Sequence, residues 1–547
     1  MKRSFLTPLV VALVALSTGG WFLQQGVSPD RNVYTQARLF EEVMEMVQQR
    51  FVDEEDEAAL YDMAITGLLD ELGDPHSTLM NQKDYAELQV QTRGEYGGLG
   101  IQIAVRDDWV TIITPMPGTP AERAGLMPGD RIIEVEGEST EGWSEDKAVS
   151  VLRGPKGKPV DIKIARAGVE EPMPFTVQRE EITVSAVPAA YMLDGSVGYV
   201  QMNVFSETSA ADLQAAIDGL RADGMDRLIL DMRANPGGVL EQAFAVADLF
   251  VERGDAILET RGRTAVDNQR FLARSADQYP GLPIVVLVNG ASASATEIVA
   301  GALQDQDRAL VLGSRTFGKG SVQSLFPLRS GNYFLKLTTA RWYTPSGRSI
   351  QAPYGVGDGR ERIMGDARAD IVSVDTLKDE VFLTEGGREV KGGGGILPDL
   401  EIRDTLSEGE QAYVQLMTRN GGKFFDALYG FAFEHVRTHP ELGRAFPVDE
   451  AMYDGFYEAL RARDVDVERA VYDGAREWVA QQLAYRIAYT KWNQAEAVRR
   501  FNAGDRQIQV AAELLRQARS PESLFSLARA WQDQGARQAS GTPPGGR

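Results

Sequence analysis

The chain has 547 residues, 43% of them apolar, and a formal net charge of −22. That length exceeds what one core usually covers and the composition is globular, so three or four folded domains are expected. The acidity argues against non-specific nucleic-acid binding, which needs a basic footprint. The absence of cysteine excludes disulfides, thiolate catalysis and zinc–cysteine sites. The three histidines, His76, His435 and His439, show no metal spacing, so no metal or other cofactor is expected.

In chain order, Lys2 and Arg3 precede an apolar stretch from Phe5 to Leu16, then Ser17-Thr18-Gly19-Gly20 and Trp21-Phe22-Leu23. Residues 1–26 read as an export signal or, if uncut, a single membrane anchor. Residues 30–92 are expected to be helical: Phe40, Val43, Met44 and Val47 recur at helical spacing, as do Ala64, Leu68, Leu69 and Leu72, and Asp74-Pro75 stops the pattern. From Tyr96 the character changes to short strands and glycine turns, with a short helix at Glu145 to Leu152. Exposed amides of the Gly98-Leu99-Gly100-Ile101 loop suit a carboxylate, and a peptide can add as a strand beside it. A tight hairpin is the plainer alternative for this segment.

A larger α/β region begins near Ile182. Apolar strands at Val197–Val200, Arg227–Met232, Pro283–Val288 and Ala309–Leu312 alternate with helices at Ala210–Leu220 and Glu297–Leu303. This pattern predicts a sheet covered on both faces. Residues 353–391 are polar and read as a loop insertion, Gly392 to Gly395 as a flexible run, and 392–403 as a return to the core. Residues 404–534 read as helical, with Val479, Leu483 and Ile487 in one apolar stripe. The tail, 535–547, reads as disordered.

The chemistry concentrates in two places. Ser294 lies in Asn289-Gly290-Ala291-Ser292-Ala293-Ser294-Ala295-Thr296-Glu297-Ile298, between a predicted strand and a predicted helix. A serine hydroxyl needs a neighbouring base, and no histidine is near in sequence. Lys319, in Thr316-Phe317-Gly318-Lys319-Gly320, is the substitute; it must be neutral, and burial lowers a lysine from its usual value of about 10.4. Gln323 is expected to hold the amine. The plainer alternative for Ser294 is a helix cap, since Ser294 and Glu297 fit a capping box. Oxyanion donors are expected from the amides of Gly237 or Gly238, in Asn235-Pro236-Gly237-Gly238, together with that of Ala295.

Together these segments resemble the carboxy-terminal processing proteases, or tail-specific proteases, from roughly Ala37 to Ile402. Gly98-Leu99-Gly100-Ile101 and Ala124-Gly125-Leu126-Met127-Pro128-Gly129-Asp130 look like that family's PDZ domain, placed at 95–180. Ser292 to Ile298 looks like its nucleophile motif and Thr316 to Gln323 its base motif; Ser294 and Lys319 are separated by 25 positions. Asp74-Pro75-His76-Ser77 and Gly347-Arg348-Ser349-Ile350-Gln351 add to the match. The resemblance implies a crotonase/ClpP-like α/β protease core, at 182–352 and 392–403, with an inserted PDZ domain and helical amino- and carboxy-terminal regions. It implies a serine endopeptidase with a Ser-Lys dyad that cuts exported proteins near their carboxyl termini, in the periplasm or at the outer face of the inner membrane. The PDZ domain is expected to take the apolar tail, and Arg153 matches an arginine that couples tail binding to the site. Family members use terminal helices for dimerisation, larger assembly or adaptor binding. Thr296 stands where the family more often has serine, the stretch between Gln351 and Ile396 is longer than in the family, and the region after Leu406 lies outside the match. The rivals are a non-catalytic PDZ scaffold or chaperone and an acyl-transfer enzyme on a crotonase-like core; the intact Ser-Lys-Gln set argues against the first, the PDZ segment against the second.

Overall fold

A computed structural model describes residues 33–540 apart from 107, 117, 167–168, 330, 353–379 and 404–405. The export segment and most of the polar insertion lie outside the described residues. The chain falls into two units, Met1–Leu79 and Met80–Arg547. In the first, helix Val33–Arg50 buries none of its residues, and helix Glu57–Asp70 buries Leu60 and Leu69. Asp56 caps the second helix by accepting from Ala58 N–H. The Asp74-Pro75-His76-Ser77 turn is closed by the Asp74 carboxylate, which accepts from His76 N–H at 3.1 Å and from the Ser77 hydroxyl at 2.5 Å.

The second unit starts with helix Gln82–Arg93, which has a full capping box at Asn81 and ends at Gly94 in the left-handed region (φ 71°). Strand Glu95–Gly98 then pairs antiparallel with Glu180–Thr183. The glycine loop is therefore not a tight hairpin: its flanking strands belong to different sheets. Ile101–Arg106 opens a separate antiparallel sheet with Trp109–Pro115, Arg131–Val135, Pro159–Ala165 and Met173–Gln178. Helix Glu145–Leu152 packs Ala148 and Leu152 into the core of that sheet, against Leu99, Ile112, Ile132 and Ile162.

The central sheet orders its strands Ala189–Met192, Val197–Gln201, Arg227–Asp231, Ile284–Val288, Leu310–Gly313 and Leu400–Glu401. All neighbours are parallel except the first pair. Ile284–Val288 is wholly buried, as a run of β-branched and leucine residues in a two-sided sheet requires. One face packs on helices Ser209–Ala222, Leu240–Asp248 and Ala295–Asp305 through Leu213, Ile217, Phe244, Val299 and Leu303. The other face, carrying Tyr199, Ile229, Val285, Leu287 and Leu312, is covered by Ile508, Leu514, Leu515, Leu524 and Phe525. The expected two-sided cover is thus completed by helices Arg506–Gln517 and Pro521–Ser540, from beyond the segments that carried the resemblance. Truncation after Lys491 uncovers that face, so the truncated chain is expected in the insoluble fraction on expression, with little soluble protein by sedimentation.

Three further expectations change. Within 353–391, residues 381–391 form a hairpin, Val381–Leu383 with Glu389–Lys391, anchored by Arg388 on Asp399 and Asp307. Gly392 to Gly395 is a packed turn, not a flexible run: Gly393 and Gly395 donate to Ser349 and Ile350 carbonyls, and a Cβ on Gly395 would lie 2.3 Å from the Thr316 carbonyl oxygen. The last helix passes Gly535 and ends at Ser540, beyond the expected onset of disorder. The helix formers Ala536, Arg537, Gln538 and Ala539 outweigh the single glycine.

Candidate active site

Three adjacent parallel strands end at the same edge of the central sheet and feed three turns. Arg227–Asp231 leads into Met232-Arg233-Ala234-Asn235-Pro236-Gly237-Gly238, Ile284–Val288 into Asn289 to Ser294, and Leu310–Gly313 into Ser314 to Lys319. The carboxyl ends of parallel strands are where open α/β sheets bind ligands.

Ser294 immediately precedes helix Ala295–Asp305 and is half-buried. Its backbone sits at φ 55°, ψ −113°, a conformation that a side-chain-bearing residue adopts only under constraint. Glu297 accepts from the Ser294 N–H at 2.8 Å. The reciprocal half of the box is also in place, with Ser294 Oγ facing the Glu297 N–H, short of full hydrogen-bond geometry. A cap draws only on a lone pair of the oxygen, so the hydroxyl proton stays available to a base.

Glu297 does more than cap. It is fully buried. Oε1 accepts from the Thr316 hydroxyl at 2.6 Å and Gly318 N–H at 2.7 Å; Oε2 accepts from Ser294 N–H and, at 2.9 Å, from Lys319 N–H. The Thr316 oxygen already accepts from Ile396 N–H, so its proton goes to Glu297. All four partners donate, and a proton on this carboxyl would have no acceptor. Burial pushes the carboxyl above the ordinary range, against the pull of those four donors. Ser294 N–H and Lys319 N–H share one oxygen, which fixes the serine and lysine turns to each other.

The lysine turn is held elsewhere too. Its carbonyl accepts from Trp342 Nε1 at 3.1 Å, and the next amide, Gly320 N–H, donates to Gln351 Oε1 at 3.0 Å. Gly318, at φ 89°, has no room for a side chain: a Cβ would lie 2.9 Å from that of Ala352 and 3.0 Å from Gly395 N. Arg348, fully buried, bonds Asp305 and Gln304 at the far end of the Ser294 helix, which gives the Gly347 to Gln351 motif a structural reason. Gln323 follows a bulge in strand Ser321–Pro327. Its amide nitrogen donates to Ser321 Oγ at 2.9 Å and Thr338 Oγ1 at 3.2 Å, so only its carbonyl oxygen suits an amine partner.

The glycine turn packs directly on Ser294. A Cβ on Gly237 would lie 2.6 Å from Ala293 O, 2.8 Å from Ala295 N and 2.9 Å from Ser294 Cβ. The Gly237 N–H is not the expected oxyanion donor, because it donates to Asn235 Oδ1 at 2.9 Å. Among the described residues the N–H groups of Gly238 and Ala295 have no hydrogen-bond partner, and Gly238 is exposed. Asn289 ties the two turns by accepting from Ala234 N–H and Ala291 N–H.

In the antiparallel domain, Leu99 is buried and Gly100 (φ 74°) sits against Thr119, whose hydroxyl donates to the Gly100 carbonyl. Arg153 ends helix Glu145–Leu152 and stacks its guanidinium 4.3 Å from the Tyr96 ring centroid, beside Gly98. Arg153 therefore has a fixed place at the glycine loop rather than being a free surface charge.

Residues 196–358 match the model of peptidase family S41, residues 87–165 that of the PDZ domain, and residues 23–84 that of the activating protease CtpB N-terminal domain. The carboxy-terminal-processing protease of Bartonella bacilliformis is 41% identical over 353 residues, which cover 63% of this chain and 80% of that protein. The carboxyl-terminal-processing protease of Synechocystis is 39% identical over 294 residues, covering 52% and 67%. Among solved structures, the photosystem II D1 C-terminal processing protease is similar at 30% identity and a TM-score of 0.33, covering 57% of this chain and 84% of that one. The fold and these matches define a serine peptidase that carries a PDZ domain. The chain belongs to peptidase family S41, the carboxy-terminal processing proteases.

Glu297 is the functional residue that sequence reasoning undervalued. Its only sequence signal was the capping spacing, which hid a carboxylate that reaches two turns at once.

Proposed function

We propose that the protein cleaves exported proteins near their carboxyl termini with a Ser294–Lys319 dyad. The supporting observation is the Glu297 carboxylate, which joins the serine and lysine turns through one oxygen. Neutral Lys319 takes the proton from Ser294, and Oγ attacks the scissile carbonyl. The amides of Gly238 and Ala295, the latter at the positive end of an eleven-residue helix, stabilise the oxyanion. The lysine then protonates the leaving amine, and water releases the acyl-enzyme. Gln323 directs the amine through its carbonyl oxygen. The charged and apolar start of the chain, Lys2 to Leu23, supports export.

The PDZ loop Gly98 to Ile101 takes the substrate's terminal carboxylate, and the tail adds beside strand Ile101–Arg106. Arg153, stacked on Tyr96 at this loop, relays occupancy to the core. Arg153→Ala is expected to keep tail-peptide affinity within about twofold while cleavage of a tailed substrate falls about tenfold; fluorescence anisotropy and a peptide-release assay check the two halves. The whole reading is tested by mass spectrometry of peptides released from exported proteins. Fragments that share a terminal apolar tail and vanish with Ser294→Ala support it; the same fragments from both proteins refute it.

A further inference from the structure

The turn that carries Gly237 and Gly238 is anchored from an unexpected direction. Arg233 lies between strand Arg227–Asp231 and Ala234, which is held at φ 55°. The Asp231 carboxylate accepts from Arg233 Nε at 2.9 Å and Nη2 at 2.6 Å, from the Arg233 N–H at 3.0 Å, and from the Tyr199 hydroxyl at 2.8 Å. The remaining nitrogen, Nη1, donates to Asp505 Oδ2 at 2.7 Å and to Gln507 Oε1 at 3.1 Å. The three charged side chains are 15% exposed at Arg233, 3% at Asp231 and 13% at Asp505. A rigid guanidinium fork between two carboxylates, largely out of water, fixes the direction of the backbone that bears it.

Asp505 comes from the helices that cover the back of the sheet, outside the residues matched to the peptidase family. It divides its oxygens: Oδ1 caps its own helix by accepting from Ile508 N–H at 3.0 Å, and Oδ2 serves Arg233. Helix capping alone needs only the first. A strained turn persists only when its surroundings over-determine it, and here the constraints are Asn289 on Ala234, Asn235 on Gly237, and the Asp231–Arg233–Asp505 chain.

We propose that Asp505 is a positioning residue for the acyl-transfer site: through Arg233 it holds the Arg233–Gly238 turn in place against Ser294, so the last helices are part of the active-site framework. The proposal rests on the reading of Ser294 and of the Gly238 and Ala295 amides given above. A shift of about 1 Å in a catalytic donor is enough to cost about 100-fold in rate.

The test uses the full chain and an internally quenched peptide with an apolar carboxyl-terminal tail. Asp505→Asn keeps the cap oxygen and the shape but turns an amide NH₂ toward Arg233 in place of the carboxylate oxygen. Its kcat is expected to fall between about tenfold and 100-fold with KM within about twofold, and Asp505→Glu to regain part of the loss. Arg516→Ala is the control. Arg516 lies on the same helix and pairs with Asp194 at 2.8 Å, away from the glycine turn, so its kcat should match wild type. Wild-type kcat in Asp505→Asn overturns the proposal, and so does an equal loss in Arg516→Ala. If Asp505→Asn does not fold, Asp505→Ser, which caps the helix without reaching Arg233, takes its place; failure of both while Arg516→Ala folds overturns positioning in favour of a purely structural role. Ser294→Ala is run beside them. If it keeps turnover, the underlying reading falls and the proposal with it; if it is dead and Asp505→Asn is fully active, only the proposal falls.

Discussion

Ser294→Ala and Lys319→Ala are each expected to lower kcat for a tailed peptide by about 10³-fold or more, with the double variant no worse than either single one. Residues that act as one unit are not additive, because the hydroxyl is useless without the base and the base without the hydroxyl. Lys319→Arg is expected to be as inactive as Lys319→Ala. A guanidinium keeps its proton at any working pH and cannot accept another. Circular dichroism should show all these proteins folded, since Glu297 holds the backbone N–H groups of Ser294 and Lys319, which every variant keeps. Ser294→Gly separates chemistry from strain. It removes the nucleophile and also relaxes a backbone held at φ 55°, so it should be inactive yet more stable than Ser294→Ala by about 1 kcal/mol in chemical denaturation.

Glu297→Ala is expected to harm stability more than any other single change near the site, and turnover with it. It leaves the N–H groups of Ser294, Gly318 and Lys319 and the Thr316 hydroxyl without their acceptor in a buried setting. Each such orphan costs roughly 1–3 kcal/mol, so a loss of several kcal/mol, or failure to fold, is the expected outcome. Glu297→Gln is the sharper probe. It keeps the shape and one accepting oxygen but turns an amide NH₂ toward one pair of donors. If the amide nitrogen takes the Oε2 place, it faces both Ser294 and Lys319; if it takes the Oε1 place, it faces Thr316 and Gly318. Either way the lysine turn loosens, and in the first case the serine turn loosens with it. The expected result is a folded protein of reduced melting temperature whose kcat falls at least about 100-fold with little change in KM, measured by calorimetry and peptide hydrolysis.

Much of this arrangement was legible from residues alone because local signals agreed. The apolar run at Ile284–Val288, the small residues after it and the helix from Ala295 together place Ser294 at a strand-to-helix turn, and the glycines around Lys319 mark a tight backbone approach. Chain segments far apart were less legible. Nothing in the sequence near Asp505 or Gln507 announces that Arg233 lies opposite, since an Asp before a helix reads as a cap and is one. The glycines at 392–395 look loose by composition, yet the missing side chain of Gly395 is what lets this turn pass against Thr316 and Gly318. Gly237 was a reasonable oxyanion donor until the Asn235 side chain, two residues earlier, proved to take its N–H. Such competition between a side chain and a catalytic role is visible only in three dimensions.

Covalent labelling of the full chain with a fluorophosphonate, followed by peptide mapping, tests the dyad most directly. One adduct on Ser294 is expected, forming at least about 100-fold more slowly in Lys319→Ala and in Glu297→Gln. An adduct on another residue, or labelling of Ser294 at the same rate without Lys319, would contradict the idea that these two turns are joined to make one nucleophile.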